Sequence, residues 1–147
     1  MRDHMQASQF EQFRAATTKS FSFFKSLGFC RMPQLEETSP TGATVVYVGK
    51  HVGFIFSLDV RDQCIDAQVV KVQNGCLKRN WEGGYSSDIY GHLITHAGYR
   101  GNPNPSGGNG PGHATEYPLQ GMIDGWANLL RHAGQSLLED RPDSLPK

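Results

Sequence analysis

The chain has 147 residues, and 14 Lys and Arg balance 14 Asp and Glu, so its formal charge is zero. That length suits one ordinary domain with a core of its own, and the charge balance argues against nucleic acid, because phosphate binding draws on an excess of Lys and Arg. It gives no reason to expect an anionic membrane surface either, and no apolar run approaches the roughly 20 residues of a spanning helix.

Met1 to Ser8 is polar and has no apolar stretch of the kind a secretory signal needs. Ser8 followed by Glu11 reads as a capping box opening a helix. Phe10, Phe13, Thr17, Phe21, Phe24 and Leu27 recur at steps of three and four and share one face, until Gly28 takes the place of a C′ glycine. Five of the eight phenylalanines fall in this one predicted helix, as core or as core plus interface.

Phe29 to Gln34 can start a sheet, and the stretch 36–42, with Pro40 and Gly42, reads as turn. Thr44 to Val48 is β-branched, and Gly49-Lys50 predicts a tight link into the next strand. There Val52, Phe54, Phe56 and Leu58 alternate with Gly53, Ile55, Ser57 and Asp59, the cleanest period of two in the chain. Asp59 to Gln63 is a polar turn and Cys64 to Val72 a further strand. Val69, Val70 and Val72 fall on both of its faces, which implies a bulge or two-sided burial. Asn74-Gly75 predicts a reverse turn before a short edge strand, Cys76 to Arg79.

Past Trp81, Ser86 or Ser87 can cap a short helix carrying Ile89, Leu93 and Ile94 and ending near Gly98. Residues 99–117 form a long loop dense in Gly, Asn and Pro, and Pro118 suits the first turn of a last helix. Met122, Trp126, Leu129, Leu130, Ala133 and Leu137 form the apolar stripe of that helix. The expected fold is α+β over one domain, 1–147. An N-terminal helix precedes an antiparallel meander of four to five strands, and two C-terminal helices pack on one sheet face. Residues 1–7 and 139–147 are expected to fray.

Candidate chemistry is sparse. Cys30, Cys64 and Cys76 form no CxxC pair and have no His at a recognisable spacing, so they read as reduced, semi-buried cytosolic thiols. His92 and His96 lie four apart on a predicted helix, the spacing of a zinc helix. The Glu that such a motif places after the first His is Leu93 here. We read them as surface or half-buried histidines, with no metal, no cofactor and no catalytic residue expected. The glycine run 107–112 follows a helix rather than a strand and has no P-loop Lys, so it reads as surface loop rather than phosphate cradle. Asp59, Arg61 and Asp62 read as turn residues rather than an acid pair. Trp81 and Tyr85 at the sheet–helix joint, with Tyr99, Arg100, Asn102, Asn104 and Tyr117 in the loop, are types that serve well in protein contacts. They are the candidate partner-binding residues.

Three stretches resemble the small cytosolic immunity proteins of bacterial polymorphic-toxin systems, contact-dependent or type VI-like. They are Phe23-Phe24-Lys25-Ser26-Leu27-Gly28-Phe29, the Tyr47 to Asp59 hairpin, and Trp126-Ala127-Asn128-Leu129-Leu130-Arg131-His132 running on to Leu137-Leu138. The resemblance implies a non-catalytic cytoplasmic protein, monomer or homodimer, that neutralises a cognate protein toxin by occlusion, with no nucleic-acid or membrane partner. Many such inhibitors are acidic, so the neutral balance argues against a strongly basic nuclease surface unless a local acidic patch exists. Two alternatives stand beside it. One is a small metal-dependent enzyme using His92, His96 and His113; the other is a ligand-binding or accessory module enclosing an apolar pocket.

Overall fold

The spacing of Phe10, Phe13 and Thr17 does place them together, on the buried face of α1 (Arg2–Ser20). The computed structural model describes residues 2–100 and 119–146, with side chains from Gln9 onward. The helix begins before Ser8, which therefore lies inside it rather than capping it. It also ends sooner than the periodicity predicts. Phe21 and Ser22 form a turn, and one further helical turn, α2 (Phe23–Ser26), completes the segment. The Thr17 hydroxyl donates to the Phe13 carbonyl at 2.7 Å and the Thr18 hydroxyl to the Arg14 carbonyl at 2.9 Å. Such back-bonding loosens a last helical turn. The break brings Phe21 to 4.3 Å from Phe56 and Phe24 to 5.0 Å from Phe54, centroid to centroid, while Leu27 stays exposed.

A two-residue strand β1 (Cys30–Arg31) and a 3-10 turn, Pro33–Leu35, lead into β2 (Thr38–Ser39). The long strands follow as β3 (Gly42–Val48), β4 (Val52–Asp59) and β5 (Cys64–Gln73), then the short β6 (Cys76–Lys78). The antiparallel order is β1-β3-β4-β5-β6, with β2 also on β3. The stretch 36–42 is thus a small hairpin rather than turn alone, because Ser39 pairs with Gly42 across Pro40-Thr41. Asn74 and Gly75 both take positive φ, 53° and 78°, as a two-residue hairpin turn requires. Beyond β6, a 3-10 turn (Asn80–Glu82) leads to β7 (Ser86–Asp88), which pairs with β5 where β6 leaves off. The serines expected to cap a helix are in that strand. Asp88 caps α3 (Ile89–His96) instead, its carboxylate accepting the Gly91 N–H at 3.0 Å. Then come α4 (Leu119–Ala133) and the single turn α5 (Gln135–Leu138).

The register puts Ala43, Val45, Tyr47, Phe54, Phe56, Leu58, Ile65, Ala67 and Val69 on one face. They are buried with Phe10, Phe13, Leu93, Trp126 and Leu130 of the helices, so α1, α3 and α4 cover the same side. The architecture is the expected α+β one. The two-sided valines of β5 have a simple origin: Val70 joins Val46 and Ile55 in a second, smaller cluster on the back of the sheet. The β4–β5 ladder runs without a bulge from Val52↔Lys71 to Asp59↔Cys64.

The tail expected to fray over 139–147 is held in its described part. Leu145 is buried, and the Asp140 carboxylate accepts the N–H groups of Lys50, His51 and Val52 at 2.6, 2.7 and 2.9 Å. These three amides lie in the β3–β4 turn. Gly49 is glycine for the same reason, since a Cβ there would fall on that carboxylate. Replacing Asp140 with alanine is expected to cost about 2 kcal/mol, the scale of losing charge-assisted bonds at a half-exposed site. A urea titration checks this, with Gly49→Ala expected to lose a similar amount and the pair less than the sum. A loss below about 0.5 kcal/mol would mean the tail merely rests there.

Candidate functional site

The back of the sheet is built by alternation. Thr44, Ser57 and Asp66 lie side by side across β3, β4 and β5, and the next row is Val46, Ile55 and Gln68. The helices lie on the other face. Two flanking elements overhang this one: the 3-10 turn Pro33–Leu35 on the β3 side, and the arm from β6 through Asn80–Glu82 on the β5 side. Gly53 makes room for the arm, because a Cβ there would meet Leu77 Cδ2. Between the overhangs runs a groove of about 340 Å³ with Val46 and Ile55 in its floor, Leu35 and Leu77 among its walls, and Glu37, Arg79 and Glu82 at its margin. It adjoins a second hollow of about 260 Å³ that shares Glu37 and Thr44 and continues over Ser57, Asp59 and Asp66.

The overhangs are fixed by hydrogen bonds. Glu36, its side chain 4 % exposed, takes a two-pronged bond from Arg31 (2.8 and 2.7 Å), accepts the Val46 N–H at 3.1 Å and lies 3.6 Å from Arg14. On the arm, the Glu82 carboxylate accepts the Arg79 N–H at 3.1 Å. Asn80 exchanges bonds with the Ser86 backbone at 2.9 and 3.1 Å. Trp81 stands between Asn80 and Glu82 with 76 % of its surface exposed, and the Arg79 guanidinium lies 5.6 Å from its ring centroid.

His92 and His96 face one another as their spacing predicts, ring centroids 5.0 Å apart. His92 is only 2 % exposed, which corrects the surface or half-buried reading, and its Nδ1 lies 2.7 Å from the Tyr85 hydroxyl. Among the described residues no three of His, Cys, Asp and Glu come together as a metal site. His113 lies outside them. Burial, and then His96, push the His92 imidazole down to about 4. The unfolded chain therefore takes up a proton near pH 6.5 that the folded chain refuses until about pH 4, so stability falls as the pH falls through that window. Going from pH 7 to 4.5 is expected to cost about 2 kcal/mol on this account. Urea midpoints at the two pH values check it, and His92→Gln is expected to flatten the difference; an equally steep loss in the variant would assign it elsewhere.

The structure scatters the other predicted contact residues. Tyr85 packs against His92 and His96 at the base of the arm. Tyr99 is half-buried, its ring edge-on to Tyr90 at 6.0 Å, while Arg100 is exposed. Asn102, Asn104, Tyr117 and the glycine run 107–112 lie outside the described residues. Asp59 holds its turn, accepting the N–H groups of Arg61 and Asp62 at 2.9 and 3.2 Å. Cys30 and Cys76 are exposed and Cys64 half-buried, so two of the three thiols are more open than expected. The sequence reading missed Leu35, Glu37, Asp66 and Leu77. The signal for Asp66 was present: in a strand whose Ile65, Ala67 and Val69 face the core, Asp66 and Gln68 must face away.

Comparison of the chain with protein-family models, with curated proteins and with solved structures finds no match. Among the described residues, no helix is long and apolar enough to cross a membrane.

Proposed function

We propose that the protein is a non-catalytic immunity protein that acts in the bacterial cytoplasm, binding one cognate toxin domain and neutralising it by occlusion. The observation that carries this reading is Trp81. A tryptophan left 76 % exposed with a guanidinium 5.6 Å from its ring centroid, on the arm that walls the groove, is the residue type and setting of an interface anchor. Leaving such a ring in water is unfavourable, and a protein partner removes that penalty. Binding is further supported by the groove, whose floor is a sheet face offering apolar, hydroxyl and carboxylate side chains to a partner.

The test is co-expression and co-purification with the products of the adjacent genes. A stable complex is expected with one of them, and Trp81→Ala is expected to weaken it about 30-fold, the equivalent of 2 kcal/mol, with the thermal midpoint of the free protein unchanged. A complex indifferent to Trp81 would remove the anchor, and no complex with any of these products would remove the reading.

A further inference from the structure

The groove sets an apolar floor beside a row of carboxylates, and this combination defines what fits it. At the β6 end Val46, Ile55, Leu35 and Leu77 share the lining with Glu37, Arg79 and Glu82. At the other end, past Thr44 and Ser57, come the carboxylates of Glu37, Asp59 and Asp66. Glu82 adds a further carboxylate on the arm, and the single guanidinium in the lining, Arg79, lies against Trp81. Arg31 holds Glu36, and the Arg14 guanidinium, 3.6 Å from Glu36, donates to the Thr38 hydroxyl and to the Glu37 and Thr44 carbonyls at the edge of the groove. The two hollows are lined by four carboxylates, Glu37, Glu82, Asp59 and Asp66, against one lining guanidinium, so a neutral chain is rich in acidic side chains here. The Cys64 thiol responds to this: burial first, then Asp66, Asp59 and Asp62, push it up to about 11.

Resting on the partner-binding reading above, we infer that this groove receives an extended, Lys/Arg-bearing segment of the protein partner. One apolar side chain of the segment seats on Val46 and Ile55, and its cations face Glu37, Asp59 and Asp66. The rows of the sheet suit such a segment, because its side chains would alternate between floor and margin at the strand repeat. Charge complementarity of this kind sets orientation and on-rate, while the apolar seat and Trp81 supply the buried area.

The probe is an N-acetylated, C-amidated heptapeptide of alternating lysine and threonine with leucine at its centre, titrated into ¹⁵N-labelled protein. Its counterpart has glutamate for every lysine. The amides of Thr44, Val46, Ile55 and Asp66 are expected to shift saturably with the lysine peptide, and the glutamate peptide to bind about fivefold more weakly or worse. Charge reversal at the exposed pair, Glu37→Lys with Asp66→Lys, is expected to reverse that preference. Glu37→Lys alone carries the test, with a smaller change, if the pair does not fold.

Equal response to both peptides, shifts that map elsewhere, or no shifts would overturn the inference. So would a concentration-dependent dimer abolished by the charge reversal, which would make a second copy the occupant. The two readings fail separately. A toxin complex that needs Trp81 but tolerates the reversed charges sinks this inference and leaves the immunity reading standing. Saturable peptide binding with no toxin partner does the opposite.

Discussion

Replacing Glu36 with alanine is expected to destabilise the protein by about 3 kcal/mol and to loosen one wall of the groove. The carboxylate is nearly inaccessible, and it joins the Arg31 guanidinium of β1 to the Val46 N–H of β3, with Arg14 of α1 3.6 Å away. Removing one partner of a buried ion pair leaves the other charge uncompensated, which costs about 3–5 kcal/mol. The low end applies because a third of the Arg31 side chain is open to water and can be rehydrated. Burial pushes the Glu36 carboxyl up, but Arg31, the Val46 N–H and Arg14 together outweigh it and leave it below the usual carboxylate range. A carboxyl depressed in the folded state stabilises above its unfolded pKa, and that contribution is lost as the pH falls through the folded value. Acid therefore acts in two stages, first through His92 and then, lower, through Glu36. Urea denaturation from pH 7 to 3 is expected to show the Glu36→Ala curve converging on the parent only in the lower range. A loss under 1 kcal/mol at pH 7 would mean that the bonds are replaced by water.

The larger effect belongs to the opposite face. Trp126 is fully buried, and its Nε1–H donates to the Ile65 carbonyl at 2.8 Å, so one side chain fastens α4 to β5 by both packing and a hydrogen bond. Trp126→Ala is expected to cost about 4 kcal/mol, lowering the melting temperature by roughly 10 °C. Trp126→Phe keeps most of the ring but leaves the Ile65 carbonyl one donor short, for about 1–2 kcal/mol. Thermal unfolding of the two variants separates packing from hydrogen bond. Equal losses would mean that the indole nitrogen is what matters and the ring volume is not.

The parts of the fold legible in the sequence are those whose burial follows a period. The alternation of Val52, Phe54, Phe56 and Leu58 could only be a strand, and Phe10, Phe13 and Thr17 could only be one face of a helix. The break at Phe21-Ser22 was hidden because Phe21 and Phe24 continue the helical spacing across it. The short strands β2 and β7 were hidden because Thr38-Ser39 and Ser86 to Asp88 are polar; their partners on β3 and β5 make them strands, not their own propensity. Asp140 looked like part of a charged, frayed tail because nothing local announces a carboxylate that caps a turn about ninety residues away. The candidate site followed the same division. Trp81 was legible as an aromatic at a joint, whereas the groove beside it exists only because Leu35 and Leu77 overhang the same two strands from opposite sides.

That division bears on function. Overall neutrality argued against a strongly charged partner surface, but net charge averages over faces. Arg31 is engaged at Glu36 and Arg14 at Glu36, Thr38 and the Glu37 and Thr44 carbonyls, while the side chains of Glu37, Asp59 and Asp66 line one hollow, so the chain is neutral in sum and rich in carboxylates where it is grooved. A local patch of this kind accompanies a partner with a matching basic segment without requiring a basic partner overall.

The measurement that bears most directly on the central claim is survival of cells producing each toxic product of the adjacent genes, with and without this protein. Growth restored by the parent protein and lost with Trp81→Ala, at equal expression, is the expected result. Survival unchanged by the parent protein against every such product would contradict the immunity reading.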